Sequence, residues 1–91
     1  MPQVLVEHDP SPMKLEVLGA EDWPLVTDGV GTETRDYPTT ETSYILEGHA
    51  EIRVDGEGDI SIGPGDLVTV MPQTHCVWNI TKAIQRHYSI G

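Results

Sequence analysis

Residues 49–66 run His49-Ala-Glu-Ile-Arg-Val54, Asp55-Gly56, Glu57-Gly58, Asp59-Ile-Ser-Ile62 and Gly63-Pro64-Gly65-Asp66, and they decide the fold class. The first six alternate apolar and polar side chains. In a strand this period of two puts Ala50, Ile52 and Val54 on one face and His49, Glu51 and Arg53 on the other. Asp55-Gly56 supplies the positive φ angles of a type I′ turn, so a second strand over 59–62 folds back as a hairpin. In Gly63-Pro64-Gly65-Asp66, proline presets φ at the second turn position and glycine takes the left-handed third, the signature of a type II turn.

Working outward, further strands are expected over Tyr44-Ile-Leu46, Leu67 to Met71, Val77 to Thr81 and Ile84 to Ile90, with turn residues between them every eight or so positions. Short strands at this spacing predict an all-β sandwich or barrel. Tyr44-Ile-Leu46 and Leu67 to Met71 are apolar on both faces or nearly so. One face then fills the lumen and the other is covered, by an outer layer or by a second subunit, and a homodimer is the expectation. One helix is predicted, over about 11–19, with Ser11 at its N-cap, Pro12 at its first position and Gly19 as C-terminal cap. Trp23-Pro24 follows it and opens the strand-rich core, about 23–90. Residues 25–36 give no clear pattern, and Met1 to Pro10 are unpatterned.

The 91 residues are enough for one domain and too few for two. Fifteen acidic against five basic side chains give a formal charge of -10, which would repel nucleic acid phosphates and anionic membrane surfaces. A lone cysteine, with an N-terminus lacking both a basic start and an apolar run, leads to the expectation of a cytoplasmic protein. No stretch approaches the roughly 18 to 20 apolar residues that cross a bilayer.

Glu41-Thr-Ser-Tyr44-Ile-Leu-Glu-Gly48, followed by Gly63-Pro-Gly-Asp66-Leu-Val-Thr-Val70, resembles the two halves of the cupin signature. Trp23-Pro24, Tyr44-Ile-Leu-Glu-Gly48, Gly65-Asp-Leu-Val-Thr69, Cys76-Val-Trp78 and Arg86-His-Tyr88 are similar to the small ureidoglycine-aminohydrolase-like cupins. The resemblance spans about residues 11–90 and implies a jelly-roll-like antiparallel β-barrel. It also implies a divalent metal (Mn, Fe, Ni or Zn) held by three histidines and one glutamate at the barrel mouth. Here Glu41 falls on the glutamate position. The two histidines of the first motif would fall on Thr34 and Asp36, or on Arg35 and Tyr37 with the shorter spacing. In the second motif the histidine position is Cys76, beside His75, while Met71 and Gln73 take the proline and glycine positions. Half the ligand set is missing, so no tightly bound metal is expected.

Glu41 shares a strand face with Ser43 and Ile45. A carboxylate facing a lumen must be paired, ligated or protonated. It is therefore a candidate metal ligand or general acid/base, or half of a salt bridge to Arg35 or Arg86. Cys76 shares a face with Trp78 and Ile80. It is a candidate nucleophile or metal ligand if a cation lowers its pKa, and otherwise a small apolar residue. His87 is a candidate third ligand beside Glu41 and Cys76, or an ordinary hydrogen-bonded histidine. Arg35, Asp36, Tyr37 and Trp78 are candidate lining residues for a small organic ligand. Tyr44, on the face opposite Glu41, is placed in the dimer interface, and Trp23 at the barrel end next to the helix.

Three functions compete on these residues. A small polar metabolite bound in the lumen comes first, since the fold signature is intact and the metal signature is half gone. A metal-dependent enzyme acting on a small nitrogen compound comes second, with Glu41 as ligand or proton shuttle. A non-catalytic dimeric interaction protein comes third.

Overall fold

The computed structural model describes residues 3–54 and 57–91, so the expected Asp55-Gly56 turn lies outside the described residues. Seven strands and one short helix follow in the order β1 (Val4–His8), α1 (Pro12–Leu18), β2 (Leu25–Asp28), β3 (Gly31–Tyr37), β4 (Glu41–Val54), β5 (Gly58–Ile62), β6 (Asp66–Val70) and β7 (Thr74–Ile90). Every pairing is antiparallel. The helix begins as expected, with Ser11 Oγ accepting from the Lys14 N–H, and Gly19 closes it in the left-handed conformation. A single 3-10 turn over Ala20–Asp22 leads into β2.

Two long strands organise the barrel. The first half of β4 pairs with the second half of β7, Glu41 opposite Ile90 and Ile45 opposite Arg86. The second half of β4 pairs with the first half of β7, Ala50 opposite Ile80 and Val54 opposite Cys76. β6, with β1 beyond it, extends the first arrangement on the β4 side and β2 extends it on the β7 side. β5 and β3 do the same for the second arrangement. The sheet therefore folds round on the shared strands, and residues of both halves meet in one core.

The bend is written in the residues where the register shifts, between Ile45 and Ala50. Gly48 sits there at φ 99°, and a Cβ built on it would lie 2.2 Å from the Ala83 carbonyl oxygen. Glycine lets the two backbones touch at a conformation that other residues rarely adopt. This corrects the expectation of two strands over 77–81 and 84–90, because β7 runs through without a break. Thr81, Lys82 and Ala83 lie exposed along the bend. β1 was also unforeseen; it pairs with β6, Val4 opposite Val70 and Val6 opposite Val68.

The alternation read from 49–54 holds, with Ala50, Ile52 and Val54 buried and His49, Glu51 and Arg53 exposed. With Ile45, Ile62, Val68, Val70, Trp78, Ile80 and Ile84 they form the core. Each fully buried aliphatic side chain there contributes roughly 1.5–3 kcal/mol. The type II turn also holds: Gly65 has φ 87°, and the Asp66 N–H returns to the Gly63 carbonyl at 3.2 Å. Asp66 locks the turn, accepting from the Gly63 N–H at 2.8 Å and from His8 Nδ1 at 2.7 Å. Among the described residues no helix is long and apolar enough to cross a membrane.

Candidate functional site

At one end of the barrel a pocket of about 370 Å³ is lined by Arg35, Tyr37, Glu41 and Arg86, with Asp36, Pro38, Thr39 and Ile90 at its rim. Strand parity aims these side chains. In β3, Arg35 and Tyr37 stand opposite Cys76 and Thr74, both buried, so all four face the lumen. In β4, Glu41 and Ser43 stand opposite Val70 and Val68, again lumen-facing. Arg86, opposite Ile45, completes the inward set.

The inward positions that a cupin's first motif would give to histidine are thus Arg35 and Tyr37, the shorter of the two spacings. Thr34 and Asp36 face out. Asp36, from the outward phase of β3, still contributes to the edge of the pocket; it is exposed and bonded to His75 at 2.5 Å. Trp78, also expected as a lining residue, lies deeper, 1% exposed, as the floor beneath the guanidiniums.

Charge in the mouth is arranged around Asp28, a residue that sequence reading missed. Its Oδ2 accepts from Arg86 Nε at 2.8 Å and its Oδ1 from Arg35 Nη2 at 3.1 Å. Arg86 Nη1 donates to Ser43 Oγ at 2.7 Å and, more loosely, to Glu41 Oε2 at 3.4 Å. Arg35 also donates to Glu33 from Nη2 at 2.7 Å, at the rim. Side-chain exposures of 8% for Arg86, 13% for Asp28, 15% for Arg35 and 17% for Glu41 set these groups apart from ordinary surface pairs. Two guanidiniums against Asp28 and Glu41 leave the inner cluster neutral. Both guanidiniums also lie over the Trp78 ring, Arg35 at 4.5 Å and Arg86 at 5.7 Å from its centroid, within cation–π range. The signal that would have revealed Asp28 is a carboxylate in the inward phase of the short run Val26-Thr27-Asp28.

Burial pulls the Arg35 guanidinium down, but its hydrogen bond to Glu33 and the charge of Asp28 more than reverse this, so it stays firmly protonated. Burial pushes the Tyr37 hydroxyl up to about 12, helped by neighbouring Cys76 and Glu41. Tyr37 is therefore a neutral donor at physiological pH. Its hydroxyl is buried beside Arg35 and Cys76 but makes no well-formed hydrogen bond among the described residues, and neither does Trp78 Nε1, which also neighbours Cys76.

Burial also raises the Cys76 thiol, outweighing the opposite pulls of Trp78, Arg35 and Tyr37. At 3% exposure it is a small apolar side chain of the lumen wall. A nucleophile or a thiolate ligand needs the opposite shift. His87 faces away from Glu41, on the outer surface opposite Tyr44, and its Nδ1 bonds the Trp23 carbonyl at 2.9 Å. The expected trio of Glu41, Cys76 and His87 is therefore not brought together. Among the described residues no three His, Cys, Asp or Glu side chains are grouped to hold a metal. The groups at the mouth, two guanidiniums already held by Asp28 and facing the loosely held Glu41 carboxylate, do not fit a divalent ion.

Tyr44 is half-buried on the outer face, in a groove that it shares with Pro10, Pro12 and Leu15 of the chain's own N-terminal segment. The last residues run along the pocket: Ile90 is 64% exposed at its rim, and the Gly91 N–H bonds the Thr40 carbonyl at 2.8 Å.

A jelly-roll barrel with a glutamate at its mouth and a Gly-Asp turn opening β6 defines a cupin. Residues 15–88 match the EutQ-like cupin domain family, and the chain belongs to it. Among solved structures it is similar to a DUF861-family protein of Thermotoga maritima, at 35% identity and TM-score 0.91 over 97% of this chain and 99% of that one. More distant likenesses show the fold alone. One is a protein of unknown function (DUF1255) from Acidithiobacillus ferrooxidans, at 17% identity and TM-score 0.67 over 69% and 60% of the two chains. Another is described as a putative ethanolamine utilization protein Q of Salmonella typhimurium, at 15% and 0.65 over 72% and 53%. No curated protein matches the chain.

Proposed function

We propose that the barrel mouth binds a small polar metabolite directly, through side chains alone. The observation that carries this reading is the Tyr37 hydroxyl, buried at the pocket wall with no well-formed hydrogen bond among the described residues. Leaving such a group unsatisfied costs about 1–3 kcal/mol, a cost that a ligand acceptor atom would remove once the pocket wall gives way to admit it. Arg35 and Arg86 offer further N–H groups beyond those engaged by Asp28, Glu33, Ser43 and Glu41, and Glu41 offers an acceptor opposite them. The pocket can therefore grip a molecule at both its acceptor and its donor atoms.

A thermal-shift screen tests the reading. A ligand at 100 times its dissociation constant adds about 2.7 kcal/mol of stability. Small nitrogen metabolites head the screen, because the motifs resemble those of ureidoglycine-aminohydrolase-like cupins. Hits are expected to vanish in Tyr37→Phe and weaken in Glu41→Gln. Hits that persist in both variants, or silence across a broad metabolite library, would remove the reading.

A dimer is a second, compatible reading, favoured by the exposed leucines Leu5, Leu25 and Leu46. Light scattering behind size exclusion reads the mass directly, and a monomer across the accessible concentration range ends it.

A further inference from the structure

The cupin family pattern implies a metal at the glutamate, and this chain's residues do not suit one. We infer that Arg86 is the resident cation of the barrel mouth and that, with it in place, the site refuses divalent metals. Asp28 Oδ2 and Glu41 Oε2 accept from the same guanidinium, from Nε and Nη1 at 2.8 and 3.4 Å. Two carboxylates on different strands, β2 and β4, thus converge on one positive group. That is the electrostatic task a divalent ion performs between carboxylate ligands.

The guanidinium is fixed from several sides. Ser43 Oγ holds Nη1, while the Trp78 and Tyr88 rings lie 5.7 and 5.5 Å from Cζ. A guanidinium keeps its charge across the whole pH range of folded proteins and cannot become a ligand. A metal entering beside Glu41 would meet two like charges, since Arg35 stands over the same Trp78 ring and shares Asp28. The positions where histidines would have offered neutral nitrogen are Arg35, Tyr37 and Cys76. Charge repulsion and the absence of imidazole act in the same direction.

The inference concerns the cation and not the metabolite. A screen without hits leaves it standing, and metal uptake would overturn it without closing the pocket. The test uses Mn²⁺, a hard ion suited to oxygen ligands, on the wild type, Arg86→Lys and Arg86→Ala, followed by elemental analysis after dialysis and by melting temperature. The wild type and Arg86→Lys are expected to retain no stoichiometric manganese and to melt at the same temperature with and without it. Arg86→Ala leaves Glu41 without its cation and Asp28 with Arg35 alone, so it is expected to melt lower and to recover part of the loss when manganese is added. Adding Asp28→Asn to Arg86→Ala abolishes that recovery.

Stoichiometric manganese in the wild type, lost on Glu41→Gln, would overturn the inference. So would a folded Arg86→Ala protein indifferent to the ion. If Arg86→Ala does not fold, the wild type and Arg86→Lys decide alone: manganese retained by either refutes the inference, and manganese refused by both sustains it.

Discussion

The Asp28 carboxylate lies 2.8 Å from Nε of Arg86, and through its other oxygen it also holds Arg35. One acid therefore pairs with two guanidiniums arriving from β7 and β3, and Glu41 supplies the second negative charge. Removing one partner of a buried ion pair is far more costly than never having had the pair, because the remaining charge stays desolvated. Asp28→Asn keeps the shape and removes the charge. It is expected to lower unfolding stability by about 3 kcal/mol or more, measured by urea denaturation. A loss below about 0.5 kcal/mol, the scale of an ordinary surface substitution, would show that the guanidiniums are solvated and that the cluster is not the keystone of the mouth.

Gly48 and Gly29 make a matched pair. A Cβ at Gly48 meets the Ala83 backbone, whereas one at Gly29 meets nothing within 4 Å. Gly48→Ala is expected to fold poorly or to lose several kcal/mol, since backbone cannot move aside as a flexible side chain does. Gly29→Ala is expected to change stability by less than about 1 kcal/mol. Equal effects would refute the account of the bend.

Tyr37→Phe separates stability from binding. Deleting a hydroxyl that makes no well-formed hydrogen bond is expected to stabilise the ligand-free protein by about 1 kcal/mol and to abolish metabolite-induced shifts. A variant less stable than wild type would mean that the hydroxyl already has a partner.

The same residue sets an alkaline limit. Its ordinary value of 10.0 rises to about 12 on folding, so the unfolded chain releases the proton first. Stability from this group is present below pH 10 and is lost as pH climbs towards 12, by up to about 2.7 kcal/mol. The raised Cys76 thiol adds a loss of the same sign beginning near its ordinary value of 9.0. Denaturation midpoints across this range should fall steeply in the wild type and less steeply in Tyr37→Phe. Equal slopes would sink the assignment.

Cys76 should resist thiol reagents in the native state. Burial and a raised pKa both suppress the thiolate, so labelling is expected to follow unfolding, accelerating in urea in step with loss of structure. Rapid native labelling would revive its candidacy as a reactive group.

Much of this architecture was legible in side-chain period and turn chemistry. The hairpin alternation, the Pro-Gly turn and the capped helix are local devices whose signal lies in adjacent residues. β1 was not legible because Val4-Leu-Val6 carries no turn signal of its own; its partner, β6, is remote in the chain. Thr81-Lys-Ala83 read as a break because polar residues on the outside of a bend look like a loop. At the site, Glu41 was visible as a lumen-facing acid, and Arg86 was among its possible partners. Asp28 stayed hidden, since nothing in a four-residue strand shows that its last carboxylate will meet two arginines from strands 7 and 58 positions away.

The course of the final residues has a practical side. Ile90 forms part of the pocket rim and Gly91 is pinned to Thr40 beside it. A segment joined after Gly91, an affinity tag for instance, starts beside the opening of the pocket proposed to take a metabolite. Binding assays are better run on protein tagged at the other terminus, and a comparison of the two tag positions would itself report where molecules enter.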